Sequence, residues 1–166
     1  TGLLGNYDAA LPWVSGSMRL TVNKAELYPS ISDAGISPEE CAYTRDDNLP
    51  FILLDITLEN IDAETTGDMT FFIGDLISAE AYESQNVQSD RFLTMSPIYY
   101  SDHRAVSDET RDYFHGELSP GTSKTFQLGF FADDTPKDVI LKLGTNGCVQ
   151  KYGVDPVSYT HLTLPT

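Results

Sequence analysis

The stretch FILLDITLEN, residues 51–60, decides the fold class of this chain. Every second position in it is apolar: Ile52, Leu54, Ile56 and Leu58. A period of two is typical of a β-strand that turns one face to the core and the other to solvent. The stretch therefore predicts a half-buried strand.

Similar alternation recurs on both sides of this strand. It is found in SMRLTVNKAEL at 17–27, in SKTFQLGFFA at 123–132 and in DVILKLGT at 138–145, and TFFIGDLISAEAY at 70–82 predicts two short strands interrupted near Gly74. The turn signals between these runs are Asp46-Asp47-Asn48, Asn60-Ile61-Asp62, Ser119-Pro120-Gly121 and Asp133-Asp134-Thr135-Pro136. Short strands separated by such turns predict an all-β fold, an antiparallel β-sandwich.

Composition narrows the classes of protein to consider. The chain has 166 residues, 40% of them hydrophobic, which predicts one domain with a real core. Its formal net charge of -15 opposes binding to phosphate backbones, so nucleic acid is not an expected partner. No apolar run approaches the roughly 18 residues of a membrane-spanning helix, so no transmembrane segment is expected.

The two ends of the chain are expected to lie outside the folded domain. Residues 1–16 suggest an N-terminal spacer, the domain is predicted over 17–150, and 151–166 form a tail. The start at Thr1, without Met, is of the kind that a removed export signal leaves. Within the tail, VSYTHLTLPT at 157–166 resembles the translation of a sequencing-library adapter, so these residues are expected to be artefactual.

The order of the strand-like runs resembles the telokin-like immunoglobulin-like domains found in uncharacterised exported proteins and lipoproteins of Gram-positive bacteria. The resemblance covers residues 17–144 and is most specific over Leu118–Phe131, where a Pro-Gly turn feeds a strand that ends in an apolar pair. The polar segment 83–110 departs from the family pattern as an insertion. The resemblance implies an immunoglobulin-like β-sandwich and a place outside the cytoplasm, and it implies no catalytic residue.

Cys41 and Cys148 are the only cysteines, and neither stands in a CxxC motif or beside a histidine. The zinc spacing is therefore absent. In an exported domain the two are expected to form a disulfide, and two unpaired thiols are the alternative.

Acidic residues are concentrated in one part of the sequence. Residues 26–90 contain fifteen acidic residues and one basic residue, Arg45. This excess suggests a solubilising surface, a surface for a basic partner, or a calcium site if the loops meet at one end of a sandwich. The candidate calcium ligands are Asp46, Asp47, Asn48, Asp62 and Glu64.

A hydrolase is a weaker hypothesis. His103 or His115 could be combined with Asp102 or Asp112, but the chain has no GxSxG nucleophile motif. His115 is better explained as a strand residue.

The insertion carries the strongest binding motif, MSPIYYSDHR at 95–104. Tyrosines with polar tips are favoured at recognition surfaces, and long loops on a rigid framework often carry function. The candidate ligand-binding residues are Tyr99, Tyr100, His103 and Arg104. The alternative is that Ile98 and one tyrosine pack as another edge strand.

The sequence predicts a non-catalytic interaction or accessory module, and the resemblance implies that it is secreted or held at a bacterial cell surface, with a lipid anchor upstream as one means of attachment. The expected partner is an extracellular protein or glycan. No cofactor is expected. The alternatives are a calcium- or carbohydrate-binding module and, further off, a hydrolase.

Overall fold

The computed structural model of the chain describes residues 2–5, 14–42, 48–65, 71–72, 76–78, 94–95, 97–102, 115–116, 118–132, 138–141, 150–153 and 155–156. These residues are almost entirely strand and turn. The strands are β1 (Gly2–Gly5), β2 (Val14–Ser15), β3 (Ser17–Tyr28), β4 (Phe51–Asn60), β5 (Glu64–Thr65), β6 (Phe71–Phe72), β7 (Leu76–Ser78), β8 (Thr94–Met95), β9 (Tyr99–Tyr100), β10 (His115–Gly116), β11 (Ser123–Phe131), β12 (Asp138–Leu141), β13 (Gln150–Gly153) and β14 (Asp155–Pro156). A single-turn 3-10 helix, Pro38–Glu40, is the one helix in the described residues. The predicted all-β class is confirmed.

A six-stranded sheet organises the fold. Its order is β1-β3-β4-β11-β9, with β14 added in parallel beside β3. The other neighbouring strands of this sheet run antiparallel. A second sheet has the order β13-β12-β7-β8, and two small ladders join β2 to β5 and β10 to β6. The strands predicted around Gly74 are both present, as β6 and β7.

The predicted alternation builds the main core. Apolar residues of β3, β4 and β11 point to one face of the six-stranded sheet, called here the inner face, and join one buried cluster with Val139 of β12. Tyr100 closes this cluster at the sheet edge, where its ring meets that of Phe126 edge to face at a centroid distance of 5.1 Å. The buried members contributed by the three long strands are Met18, Leu20, Ala25, Leu27, Ile52, Leu54, Ile56, Leu58, Phe126, Leu128 and Phe130.

Strand pairing extends on both sides of the predicted 17–150 domain. Gly2–Gly5 pairs with the first residues of β3, and Asp155–Pro156 pairs with Glu26 and Leu27 of the same strand. Part of the expected spacer and part of the expected tail therefore belong to the main sheet. Residues 157–166 lie outside the described residues.

Asn60 fixes the end of β4 and is the only fully buried polar residue among those described, with 0% exposure. Its side-chain amide nitrogen donates to the carbonyl oxygens of Ala63 and Leu118, and its Oδ1 accepts from the Ala63 N–H at 2.7 Å. Its backbone also bonds to Thr122 and Gly121 of the next turn. One side chain thereby joins the turn after β4 to the turn before β11.

The predicted Ser119-Pro120-Gly121 turn is confirmed. The Thr122 N–H donates to the carbonyl oxygen of Ser119 at 3.1 Å, and Gly121 has a φ of 78°. A positive φ is easily adopted by glycine because it has no Cβ, so this turn depends on Gly121.

Candidate functional site

The second face of the six-stranded sheet, called here the outer face, is divided into two halves. The strand register places the residues of β3, β4 and β11 on this face in five rows. In order along the sheet the rows are Tyr28, Phe51 and Phe131; Glu26, Leu53 and Gly129; Lys24, Asp55 and Gln127; Thr21, Thr57 and Thr125; and Arg19, Glu59 and Ser123. The first two rows are mainly apolar and the last three are polar.

The apolar rows form a covered half. The connection between β3 and β4 lies over them and contributes Ile31, Ile36 and Cys41 to a second buried cluster with Phe51 and Leu53. The connection is held to the sheet edge by a hydrogen bond from the Ala42 N–H to the carbonyl oxygen of Ile98, at 2.7 Å. This half of the outer face is a small core of its own.

Gly129 makes the close packing of the covered half feasible. A Cβ at this position would overlap Cζ of Phe51 and lie 2.9 Å from the Cβ of Tyr99. The missing side chain lets the Phe51 ring lie over the backbone of β11, where it meets Phe131 edge to face at 5.5 Å.

The three polar rows, together with Asn23, form an open half, defined by Arg19, Thr21, Asn23, Lys24, Asp55, Thr57, Glu59, Ser123, Thr125 and Gln127. Hydrogen bonds between polar side chains link its centre across all three strands. The Asn23 amide nitrogen donates to Asp55 Oδ1 and to Thr57 Oγ1, each at 2.9 Å, and the Thr57 and Thr125 hydroxyls share a hydrogen bond of 2.8 Å. These side chains are fixed by one another although they face solvent.

A β-bulge positions Asn23 for this role. The register of β3 against β4 shifts between Val22 and Lys24, so Asn23 is an additional residue in the strand. A bulge re-aims a side chain locally. Here it adds an amide to the open half while Leu20 and Ala25 stay on the inner face in the core.

Three charged residues of the open half, Arg19, Lys24 and Glu59, are engaged in ion pairs. Arg19 binds Glu59 at 2.5 Å, with side chains 47% and 42% exposed, and Lys24 binds Glu26 at 2.6 Å. An exposed pair such as Arg19–Glu59 contributes little to stability, about 0 to 1 kcal/mol. The main effect of the two pairs is to keep this surface near neutral in a chain whose net charge is -15.

The predicted tyrosine site is divided by the sheet edge. Tyr100 is 2% exposed and packs in the main core, and Ile98 is fully buried. These two residues therefore follow the alternative interpretation, in which Ile98 and one tyrosine pack as part of an edge strand. Tyr100 therefore has no ring surface for a ligand. Tyr99 faces the opposite way, half-buried in the row of Gly129, next to the open half. His103 and Arg104 lie outside the described residues.

Burial raises the pKa of Tyr99 above the ordinary 10.0, and the nearby negative charge of Glu40 raises it further. The phenol is therefore a neutral hydrogen-bonding group at physiological pH. The raised pKa also makes stability depend on pH. As the pH rises past 10, the unfolded chain loses this proton before the folded protein does, so the free energy of unfolding falls.

We expect Tyr99 to titrate above pH 10, which a comparison of the native protein with Tyr99→Phe can measure. Phenolate absorbance is recorded against pH for both proteins, and the difference between the two curves isolates this tyrosine. The difference curve should have its midpoint above the ordinary value of 10.0 because burial opposes the phenolate. A midpoint at the ordinary 10.0 would show that the ring is solvated, and it would contradict the burial of Tyr99.

The predicted calcium ligands do not meet at one end of the sheet. Asn48 precedes β4, whereas Asp62 and Glu64 follow its last residue. A ten-residue strand spans about 30 Å, far beyond the ~2.4 Å of a calcium–oxygen bond. One ion cannot bind residues at both ends of β4, so the prediction of a single calcium site formed by all five residues is wrong. Asp46 and Asp47 lie outside the described residues. Among the described residues, no group of three or more His, Cys, Asp or Glu side chains is placed to hold a metal ion.

The remaining candidates stay predictions. Cys41 is buried in the covered half, and Cys148 lies outside the described residues, so their pairing is not tested. His115 is in β10, as expected of a strand residue, and Asp102 is bound by Lys124, while His103 and Asp112 lie outside the described part of the chain.

Comparison with known proteins adds no functional information. No family model, curated protein or solved structure matches the chain. In the described residues no helix is long and apolar enough to cross a membrane.

Proposed function

We propose that this protein is a non-catalytic recognition module with an immunoglobulin-like β-sandwich fold, which acts outside the cytoplasm of a bacterium as a secreted or cell-surface protein. Its binding surface is the open half of the outer face. Export is supported by the resemblance to telokin-like domains. A sandwich is supported by Val139, through which the second sheet joins the core of the first.

The observation that carries the binding proposal is the cross-strand hydrogen bonding of Asn23, Asp55, Thr57 and Thr125. Binding normally costs side-chain entropy, about 0.5 to 1.5 kcal/mol for each flexible group that is immobilised. The side chains of the open half are already held in place by their neighbours. A partner that contacts them therefore incurs less of this cost.

The two halves of the outer face also differ in what covers them. The covered half is packed by the connection between β3 and β4, while the open half has polar residues at the equivalent positions of the same strands. A rigid core beneath a preorganised polar surface is the arrangement expected of a binding module. No catalytic chemistry is needed to explain it.

We expect Asn23→Ala/Thr125→Ala to reduce binding by about tenfold or more, because it removes two of the linked groups. The native protein and variant are compared on an array of extracellular bacterial proteins and glycans. Ser32→Ala is the matched control, since Ser32 is exposed on the β3–β4 connection, away from the open half. Equal binding by all three proteins, or no binding by the native protein, would contradict the proposal.

A further inference from the structure

We infer that the ligand of the open half is an uncharged, polyhydroxylated chain, that is, a neutral polysaccharide. This inference rests on the proposed function, because it specifies the class of ligand for the same surface. Three properties of the surface support it: its charge balance, its hydrogen-bonding groups and its shape as a strip of three strands.

Charge is the first property. With Glu26 at its border, the open half has two basic and three acidic residues, and each base is bound to a carboxylate. An anionic ligand would have to displace those carboxylates and approach a chain of net charge -15. A cationic ligand would gain more from the acid-rich remainder of the chain than from this surface. The charge balance of the open half therefore suits a neutral ligand.

Hydrogen-bonding chemistry is the second property. The centre of the open half presents the Thr57 and Thr125 hydroxyls, the Asn23 amide and the Asp55 carboxylate in adjacent positions. Sugar hydroxyls donate and accept at the same atom, as threonine hydroxyls do. They can join such a network as donors to Asp55 and as either partner to the threonines.

Shape is the third property. Three rows on three strands give a strip of sheet surface about 10 Å wide and about 13 Å long. An extended chain of sugar rings can lie along such a sheet face. Tyr99 stands in the adjoining row and provides an aromatic border with one apolar side.

The test is affinity electrophoresis in native gels that contain a soluble glucan, mannan or galactan, with polygalacturonate as the anionic counterpart. We expect at least one neutral polysaccharide to retard the native protein and polygalacturonate not to. The Kd should change little between low and high NaCl, because screening has little effect on an uncharged ligand.

The matched variant is Thr57→Val/Thr125→Val, which removes two hydroxyls without changing side-chain shape. Its Kd for the retarding polysaccharide should rise about tenfold or more at an unchanged thermal midpoint. Ser32→Ala should bind like the native protein.

The outcomes separate the inference from the proposed function. If no neutral polysaccharide retards the native protein, the inferred ligand class is wrong. The proposed function would still stand if a protein on the array bound the native protein and not Asn23→Ala/Thr125→Ala, because the open half would then be a protein-binding surface. If a polysaccharide retards the native protein and Thr57→Val/Thr125→Val equally, the open half is not the binding surface and both proposals fail.

Discussion

Replacing Asn60 by Ala should destabilise the protein by about 3 to 5 kcal/mol, one of the largest effects of any single substitution in this fold. The change removes three side-chain hydrogen bonds and leaves the Ala63 N–H and the carbonyl oxygens of Ala63 and Leu118 without this partner. Each buried polar group left unsatisfied costs about 1 to 3 kcal/mol. Urea unfolding measures the loss as a lower midpoint at an unchanged slope.

Asn23→Ala is the matched control for this substitution. Asn23 also makes two side-chain hydrogen bonds, but it is exposed, so water can replace the lost partners. Its effect should stay below about 1 kcal/mol. If the two variants lose the same free energy of unfolding, Asn60 does not connect the two turns as described.

The long strands could be predicted because their alternation is a local property of the sequence. Leu54 and Phe126, for example, are buried where the period of two places them. Pairing between β3 and β4 or between β4 and β11 is then favoured, because each strand has one apolar face to bury.

The division of the outer face had a signal in the sequence that alternation alone does not reveal. Phe51, Ile52, Leu53 and Leu54 are four consecutive apolar residues, and all four are buried. Such a run is typical of a strand covered on both faces. From Asp55 onward the pattern becomes alternating, and this change of pattern marks the border between the covered and open halves.

The candidate sites were harder to predict because they depend on distant residues. Whether Tyr99 or Tyr100 faces the core is set by the pairing of β9 with β11, in which Tyr100 is opposite Leu128. The open half likewise needs Asn23, Thr57 and Thr125 to be brought together from three strands. No short motif contains that information.

The calcium hypothesis shows the same limit. Asn48 and Asp62 are both in acidic turns, so composition treats them alike. They stand at opposite ends of β4, because that strand runs without interruption from Phe51 to Asn60. A prediction that loops meet requires the topology as well as the composition.

Leu53→Thr should lower the stability by about 2 to 4 kcal/mol, because Leu53 packs in the covered half and is only 6% exposed. Thr57→Val is the matched control, because Thr57 lies four positions further along the same strand and on the same face, but in the open half. Valine keeps the shape of threonine and is at least as favourable in a strand. Its effect should stay below about 0.5 kcal/mol.

The thermal midpoints of these two variants test most directly whether one outer face combines a covered core with an open surface. We expect a fall of about 6 to 12 °C for Leu53→Thr and a change of no more than about 2 °C for Thr57→Val. Equal falls in both variants would show that the open half is buried and unavailable to a ligand. No fall in the thermal midpoint of either variant would show that the covered half is not packed as a core of its own.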